Sequence, residues 1–472
     1  MRAVPTVLLS LAMLVLTETS AFTEDPVQVQ FGTNTELSAA FPASLTHREP
    51  TIAANPKNSR NMVTGFFGRA SNTGASKCWF VSTSDGGSTW TLGGMVPLSS
   101  SLNGCADPAL AADAKGNFYY AYIDVITSSE GFVTSFDIRV AKSTDGGRTF
   151  PQSVPVVTGG TTFGTPLPDK DYIAVDSQPK SPFKGTIYVS YTDFPTSDIF
   201  IKVTASRDGG QTWSSPASLD TVNGRNPESF FGSLPVVAPD GTVYVFYMQF
   251  KFSTGVASLR YSRSTDGGRS WSPPAEVAAD LPTPGFFWLN NGDPSFGTNS
   301  GSGVFATSYP SAAIAPDGTI YVAWTDFPNG SCTHSNSAEH PSCVDADVRL
   351  SVSRDRGGSW TSPVKVSDDD TSADQFFPWI ATGPDGLLSL IWVDRRLDPN
   401  NVDYDAFYTN TTDGRNFLPN VKFSSETSRV DATYSGGEYN NLVVTGEGIF
   451  PVWNDSRSTI NRIFTARGVP VH

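Results

Sequence analysis

The chain has 472 residues, of which 17% are charged, and it contains 42 glycines and 34 prolines. This turn-rich composition favours many short strands and argues against a helical bundle. Acidic residues exceed basic ones by 46 to 32, and the resulting net charge of -14 repels phosphate backbones. Nucleic acid is therefore not an expected partner.

The N-terminal segment predicts export. Residues 1–21 contain Arg2, an apolar run over residues 7–16 and small residues at the end, which is the pattern of a secretory signal. No later segment approaches the roughly 18 to 20 apolar residues that cross a bilayer. We therefore expect a secreted or periplasmic monomer without a transmembrane segment, formed by one domain over residues 22–472.

The four cysteines predict two disulfides in an exported chain. They allow three pairings, and we favour the local pair Cys332–Cys343, which leaves Cys78 with Cys105. A metal site is not predicted, because no Cys-x-x-Cys spacing is present and histidines are few. No cofactor is indicated with certainty; the run 368–370 of three aspartates is a solvated loop or a structural calcium site.

A short phrase of Ser or Thr, Asp, Gly and an aromatic residue recurs along the chain. The Asp and the hydroxyl accept from backbone N–H groups, Gly supplies positive φ, and the aromatic residue pins the turn to its sheet, so the phrase is typical of a hairpin. Five full copies and a shortened sixth begin at Thr83, Ser143, Ser206, Ser264, Ser353 and Thr411.

Apolar strand patterns surround the copies, and a four-stranded antiparallel unit repeats at roughly 55 to 75 residues. Such units bury both faces only by stacking on neighbours. The sequence predicts an all-β single β-propeller with seven blades favoured over six. Residues 27–32 are predicted to supply the fourth strand of the last blade, so that the N- and C-terminal strands pair and close the ring.

The repeated phrase resembles the Asp-box, or BNR repeat, of sialidases and related glycosidases, and the chain is similar to exported bacterial proteins labelled exo-α-sialidase. The resemblance implies a sialidase-like β-propeller that hydrolyses terminal sugars of acidic or complex glycans. Asp-boxes also occur outside glycosidases. Two alternatives therefore stay open, a non-catalytic glycan- or protein-binding propeller and a polysaccharide lyase.

Strand direction separates two faces of the disc. The first strands start and the second strands end on one face, which we call the ligand face, whereas the Asp-boxes lie on the other. On the ligand face, Glu49, Asp107 and Asp171 precede the Pro or aromatic residue of the first three inner strands. Such acids either raise one another's pKa, which suits a general acid, or bind a cation, or cap neighbouring backbone.

The resemblance implies a tyrosine nucleophile, since a neutral attacker suits an anionic sugar. Tyr439, at the start of the seventh first strand, is the candidate. Its neighbour Glu438 points to the opposite side of the strand, so Glu49 or Asp107 would have to serve as partner or acid. The alternative is that Tyr439 only lines the channel.

Arginines at the ends of second strands predict a clamp for an anion. Arg395, Arg396 and Arg457 follow such strands, and Arg48 lies at the start of a first strand. Guanidinium groups from separate blades would hold a carboxylate as the arginine triad of sialidases does. The alternative is Asp–Arg pairs that lock neighbouring blades. For lyase chemistry, Tyr439, Lys170 and the arginines are the candidate groups.

Two insertions, residues 272–308 and 329–345, are expected on the ligand face. The first carries Phe287 and Trp288, whose rings suit stacking on sugars, and the second contains the Cys332–Cys343 loop. Alternatively, the insertions plug the channel mouth.

Overall fold

The described chain is built of short β-strands. The structure, a computed structural model, describes residues 27–42, 45–70, 76–160, 165–195, 198–222, 228–251, 255–292, 303–333, 341–430, 439–458 and 460–471. Within these residues the regular secondary structure consists of strands alone, numbered β1 to β34 in chain order. The predicted signal over residues 1–21 lies outside the described residues, as does Glu438.

Six four-stranded antiparallel sheets, which we call blades 1 to 6, follow one another along the chain, each ordered from an inner to an outer strand. Blade 1 contains β3 (Leu45–Asn55), β4 (Asn58–Ala70), β5 (Lys77–Thr83) and β6 (Thr91–Met95), and blade 2 contains β7 (Gly104–Ala112), β8 (Phe118–Thr127), β9 (Val133–Ser143) and β10 (Ser153–Val157). Blade 3 contains β11 (Pro168–Val175), β12 (Ile187–Asp193), β13 (Ile199–Ser206) and β14 (Ala217–Val222).

Blades 4 to 6 repeat this order. Blade 4 contains β15 (Glu228–Val237), β16 (Val243–Lys251), β17 (Val256–Ser264) and β18 (Ala275–Leu281). Blade 5 contains β21 (Ser311–Ile314), β22 (Ile320–Asp326), β25 (Asp347–Ser353) and β26 (Val364–Lys365), and blade 6 contains β27 (Gln375–Thr382), β28 (Leu388–Asp394), β29 (Asp405–Thr411) and β30 (Val421–Lys422). The fold is thus all-β, with four-stranded blades in a propeller-like arrangement, as predicted.

The last sheet, which we call the terminal sheet, takes strands from both ends of the described chain. β31 (Asn441–Thr445), β32 (Gly448–Asp455) and β33 (Arg462–Thr465) pair in order, and β33 pairs with β2 (Thr35–Glu36). β1 (Val29–Phe31) pairs instead with β34 (Gly468–Pro470). The prediction for residues 27–32 is corrected accordingly: β2 holds the fourth place, because the N-terminal segment forms two short strands and only the second reaches β33.

The first predicted insertion, residues 272–308, begins too early, because it includes β18 of blade 4. The part after β18 and the second insertion form one further sheet, which we call the insertion sheet. Its strands are β19 (Phe286–Leu289), β20 (Val304–Thr307), β23 (Ser331–Thr333) and β24 (Ser342–Val344). A parallel bridge between Trp288 and Ser342 joins the two insertions, and the disulfide Cys332–Cys343 crosses β23 and β24. The second disulfide, Cys78–Cys105, links blades 1 and 2, so both predicted pairs are present.

The Asp-boxes are hydrogen-bonded hairpins, as the copy in blade 3 shows. Ser206 donates to Asp208 Oδ1 at 2.8 Å and accepts from the Gly210 N–H at 2.9 Å. The side-chain and backbone hydrogen bonds from Thr212 hold the pKa of Asp208 at about 2. These contacts stay within the turn, so they stabilise the hairpin.

Each Asp-box also packs on the preceding blade. Gly147 of blade 2 has a φ of +83°, and a Cβ added there would collide with Val63 of blade 1. Gly87 of blade 1 makes the same approach to Phe450 of the terminal sheet, where a Cβ would lie 2.7 Å from the ring. The inner strands contact one another in the order β3, β7, β11, β15, β21, β27 and β31, and β31 contacts β3.

In the part of the chain that the structure describes, we find no helix with the length and apolar character that crossing a bilayer requires.

Candidate functional site

A β-bulge recurs near the start of five inner strands. At each bulge one residue has a positive φ: these residues are Glu49 (54°), Asp107 (50°), Lys170 (50°), Gly232 (68°) and Phe377 (54°). For residues other than glycine this conformation costs about 1 to 2 kcal/mol. The strain indicates that neighbouring groups hold these backbones in place.

The bulge positions show that the predicted alignment of the three acids is wrong by one residue in blade 3. Lys170, and not Asp171, occupies in blade 3 the position that Glu49 and Asp107 occupy in blades 1 and 2. Asp171 stands where the first two blades have a proline, next to the bulge. A bulge adds one unpaired residue to a strand, and counting back from the following aromatic residue does not detect it.

Each of the two acidic bulge residues accepts a hydrogen bond from the backbone N–H of the bulge residue in the next blade. Glu49 Oε2 accepts the backbone N–H of Asp107 at 3.1 Å, and Asp107 Oδ2 accepts the backbone N–H of Lys170 at 2.9 Å. These are the backbone-capping contacts that the sequence offered as one alternative. Glu49 Oε2 also accepts the phenol of Tyr439 at 3.0 Å, so it joins the terminal sheet to blade 2.

Lys170 places its ammonium among three tyrosine rings. Its Nζ lies 3.6 Å from the ring centroid of Tyr439, 5.1 Å from that of Tyr172 and 5.8 Å from that of Tyr309. Lys170 is only 4% exposed, and its Nζ has no hydrogen-bond partner within the described residues. The rings offset part of the cost of burying this charge, and an anion entering here would find an unpaired cation.

These groups surround a pocket at the starts of the inner strands. Its lining consists of Lys170, Tyr172, Gly232, Ser233, Leu234, Thr307, Tyr309, Pro310, Phe377, Pro378, Trp379 and Tyr439. The free volume inside is about 30 Å³, so one or two water-sized groups fit and a sugar ring would have to lie above it. Glycine is required at Gly232, since a Cβ there would lie 2.5 Å from Tyr309.

The bottom of the pocket is closed by aromatic side chains that the sequence did not single out. Tyr172 stacks on Trp379 with ring centroids 5.4 Å apart, and its hydroxyl accepts from Asn441 at 2.9 Å. Both rings lie two residues after a bulge, where blades 1 and 2 have Thr51 and Ala109. A large aromatic residue at a position that is small in other repeats is the signal that would have identified them.

Asp171 lies outside the pocket lining and is fully buried. Neither carboxyl oxygen has a hydrogen-bond partner within the described residues. Burial, and then the charge of Asp107, raise the pKa of Asp171 well above its ordinary value. One of the three predicted acids thus has a raised pKa, but its carboxyl is enclosed by protein.

Arg396 and Arg457 are each bound to the aspartate that ends the preceding strand. Arg396 donates to Asp394 Oδ2 from Nε at 3.0 Å and from Nη2 at 2.7 Å. Arg457 holds Asp455 in the same way, with distances of 2.9 Å to Oδ1 and 2.7 Å to Oδ2. Their charges are matched within their own sheets, as the Asp–Arg alternative proposed, and neither residue lines the pocket.

The other two predicted arginines also lie outside the pocket lining. Arg395 is 0% exposed, donates to Asp374 Oδ2 at 3.2 Å and stacks on Phe376. Arg48 is half-buried in β3, opposite Phe67. The pocket therefore has the cation of Lys170 in place of a lining of arginines.

The insertion aromatics separate into a core residue and a partly exposed one. Phe287 is fully buried against Phe327, with ring centroids 4.8 Å apart. Trp288 is half-buried and packs on Phe305 at 5.0 Å. Of these two predicted residues, Trp288 is the one that is partly exposed.

The aspartate run is tied to basic side chains. Asp368 accepts from Arg396 at 2.6 Å, and Asp369 lies 3.5 Å from Lys365. Within the described ranges, no group of three or more His, Cys, Asp or Glu side chains is placed to hold a metal ion.

Comparison with known families and structures supports the repeat assignment. Residues 190–292 match the sequence profile of the BNR repeat-like domain. This match confirms the resemblance that the Asp-boxes predicted. No curated protein sequence matches the chain significantly.

Solved structures with a similar fold include enzymes that act on polysaccharides. An ulvan lyase of polysaccharide lyase family PL25 is 11% identical with a TM-score of 0.50, and the alignment covers 89% of this chain and 93% of that one. A Dyadobacter fermentans protein of unknown function is 13% identical with a TM-score of 0.49, covering 94% and 99%. An α-L-arabinofuranosidase from Fusarium graminearum is 14% identical with a TM-score of 0.47, covering 78% and 93%. At these identities the likeness is one of fold.

Proposed function

We propose that the protein is a sialidase-like glycosidase that acts on terminal sugars of acidic or complex glycans, with Tyr439 as nucleophile and Glu49 as its base. The observation that carries this proposal is the 3.0 Å hydrogen bond from the Tyr439 phenol to Glu49 Oε2 at the pocket. A nucleophile and a base within hydrogen-bond distance are the geometric requirement for covalent catalysis.

The chemistry follows from these two groups. The Tyr439 oxygen attacks the anomeric carbon, its proton passes to Glu49 Oε2, and the leaving oxygen departs with the bonding electron pair and is protonated by solvent. Water then attacks the anomeric carbon and the bond to the Tyr439 oxygen breaks. That oxygen takes its proton back from Glu49, and the proton of the attacking water goes to solvent. Lys170 supplies positive charge beside Tyr439, which favours a carboxylate-bearing sugar and the negative charge that develops on the phenol oxygen.

The proposed site requires a closed ring. We infer that blades 1 to 6 and the terminal sheet are the seven blades of one propeller. Supporting this, the Asp-box of blade 1 packs on the terminal sheet as the Asp-box of blade 2 packs on blade 1, and the inner strands contact one another in cyclic order. The two disulfides fit the oxidising compartment of an exported protein.

The test is hydrolysis of a panel of aryl glycosides with good leaving groups, both anionic and neutral, because such groups depart without an acid. We expect release of a sugar with retained anomeric configuration, measured by proton NMR, and its loss in Tyr439→Phe. Tyr244→Phe is the matched control, since the Tyr244 hydroxyl donates to the Arg356 carbonyl in the Asp-box of blade 5.

Two outcomes would contradict the glycosidase. Turnover unchanged in Tyr439→Phe would exclude this tyrosine as nucleophile. Absence of hydrolysis with absorbance of an unsaturated product from a polyuronate would identify a lyase instead, in which Tyr439 moves a proton and Lys170 neutralises the uronate.

A non-catalytic glycan-binding propeller is the second candidate. The observation that favours it is the contrast between the small pocket and a space of about 580 Å³ at the opposite mouth of the channel. Inner hairpin residues such as Asn55, Gln178 and Lys180 line this space. Tight binding on a glycan array, lost in Gln178→Ala and unaccompanied by turnover, would support this candidate.

A further inference from the structure

We propose that Asp107 is a positioning residue, which holds the Lys170 ammonium over Tyr439 and takes no proton itself. This inference rests on the proposed function of the Tyr439–Glu49 pair. It assigns to Asp107 a role different from the acid or base that the sequence predicts for it.

Four residues from four sheets form a closed circuit of contacts. Tyr439 donates to Glu49 at 3.0 Å, and Glu49 accepts the N–H of Asp107 at 3.1 Å. Asp107 Oδ2 accepts the N–H of Lys170 at 2.9 Å, and Lys170 Nζ returns to the Tyr439 ring at 3.6 Å. Asp107 is the link between the hydroxyl end of Tyr439 and the cation on its face.

The position of Asp107 shows that it acts through another residue. It is buried and does not line the pocket, and Oδ2 is bound to a backbone N–H. A carboxylate engaged in this way fixes the orientation of the peptide that it caps. The group that reaches the pocket from this contact is Lys170.

The Lys170 backbone needs such support. Its φ of +50° lies in the left-handed region, which costs an ordinary residue about 1 to 2 kcal/mol. Gly232 occupies the same place in blade 4 at no comparable cost. Its N–H is shared between Asp107 Oδ2 and Asp169 Oδ1, each at 2.9 Å. Asp169 is the adjacent residue in the same strand, so Asp107 is the acceptor that ties this backbone to the neighbouring blade. Without the Asp107 acceptor, Lys170 would relax towards the ordinary extended backbone, and the change in φ would swing Nζ away from Tyr439.

The experiment compares Asp107→Asn with Asp107→Ala. Asparagine keeps a carbonyl oxygen that can accept the Lys170 N–H but cannot act as an acid or base, whereas alanine removes the acceptor from blade 2 and leaves only Asp169 Oδ1. Asp113→Ala is the matched control. That carboxylate accepts backbone N–H groups in the turn at the other end of β7, away from the pocket.

The first readout is NMR of the full-length protein labelled with [ε-13C]lysine, with the Lys170 signal assigned from Lys170→Arg. An ammonium 3.6 Å above a tyrosine ring should have an upfield-shifted signal. We expect this shift to persist in Asp107→Asn and Asp113→Ala and to be lost in Asp107→Ala. A shift that survives in Asp107→Ala would overturn the inference, and this readout requires no turnover.

The second readout is hydrolysis of the best aryl glycoside from the panel. We expect kcat/KM to fall roughly 100-fold in Asp107→Ala, the scale of a small misplacement, and to recover most of its value in Asp107→Asn. Loss of activity in Asp107→Asn with the lysine signal intact would make Asp107 a proton-transfer group and overturn the inference. A wild-type protein without turnover would count against the proposed function alone, because the NMR comparison still decides the role of Asp107.

Discussion

The phenol of Tyr439 and the carboxylate of Glu49 are hydrogen-bonded at 3.0 Å although 390 residues separate them in the chain. Glu49 belongs to the first blade, and Tyr439 directly precedes the terminal sheet. The distance between the two side chains is therefore set by the packing of blade 1 against the terminal sheet. The proposed chemistry depends on this packing.

Glu49→Gln should separate the proton-accepting role of this carboxylate from its structural one. Glutamine keeps an oxygen for the Asp107 N–H and the Tyr439 phenol, but it is not a base. We expect kcat to fall roughly 100- to 10,000-fold with little loss of stability, as measured by hydrolysis of an aryl glycoside and by thermal unfolding. Glu447→Gln, on an exposed turn of the terminal sheet, is the control; equal activity in both variants would exclude Glu49 as the base.

Asp171 should make the protein less stable as the pH rises. Because burial raises its pKa in the folded state, folding takes up a proton above the pKa of about 4 that an unfolded aspartate has. The stability contribution of the neutral form is present below that value and is lost as the pH rises towards the raised folded pKa. Asp171→Asn cannot ionise and lacks this loss.

Urea unfolding between pH 4.5 and pH 7 checks this prediction. We expect the free energy of unfolding of the wild type to fall relative to Asp171→Asn by roughly 1 kcal/mol per pH unit. Asp208→Asn is the control of opposite sign, because the pKa of Asp208 is lowered to about 2 and its effect is confined to more acidic pH. Parallel pH profiles for wild type and Asp171→Asn would show that Asp171 is ionised in the folded protein.

The second glycine of the Asp-box should be required by packing as well as by φ. Gly147→Ala places a methyl group against Val63 of the preceding blade, whereas Gly185→Ala meets nothing within 4 Å at a similar φ of +92°. Both variants carry the cost of positive φ. We therefore expect Gly147→Ala to be less stable than Gly185→Ala by about 1 to 3 kcal/mol in urea unfolding, and equal stabilities would contradict the packing argument.

The Cys332–Cys343 disulfide should stabilise the insertion sheet locally. For a loop of this length, the chain-entropy model gives about 2 to 3 kcal/mol. We expect Cys332→Ser/Cys343→Ser to accelerate amide hydrogen exchange in β19, β23 and β24 and to leave blades 1 to 3 unchanged. The control is Ser331→Ala, which keeps the disulfide; uniform acceleration across all sheets would show that the insertion sheet supports the whole fold.

Local patterns predicted much of the architecture. The apolar strand patterns around the Asp-box copies include the segment observed as β12, Ile187–Asp193, because its apolar residues and the turn at its start are encoded locally. The same holds for the Asp-boxes, in which the hydrogen bonds between the Ser or Thr, the Asp and the glycine N–H stay within the hairpin. The argument that Tyr439 needs a partner from another strand named Glu49 as one candidate, and the structure places Glu49 in contact with it.

Features that depend on non-local geometry were less accessible. The alternating pattern of β11 does not reveal the bulge that places Lys170, and not Asp171, in the position equivalent to Glu49. The bulge depends on a contact with Asp107 of the neighbouring blade. The insertion sheet likewise depends on a bridge between Trp288 and Ser342, which lie in separate insertions. Sequence analysis left open whether Arg396 and Arg457 bind an anion or pair with aspartates. Side-chain positions decide this question: Arg396 pairs with Asp394 and Arg457 pairs with Asp455.

The terminal sheet restricts the order in which the molecule can fold during synthesis. β1 has no strand partner until β34 has been synthesised, and Glu49 cannot meet Tyr439 before residue 439 has been synthesised. Pairing of β1 must therefore follow synthesis of β34, and a product truncated before β34 would leave β1 exposed to self-association. A circularly permuted gene that joins β34 to β1 with a short linker would relieve this constraint, because these two strands are already paired.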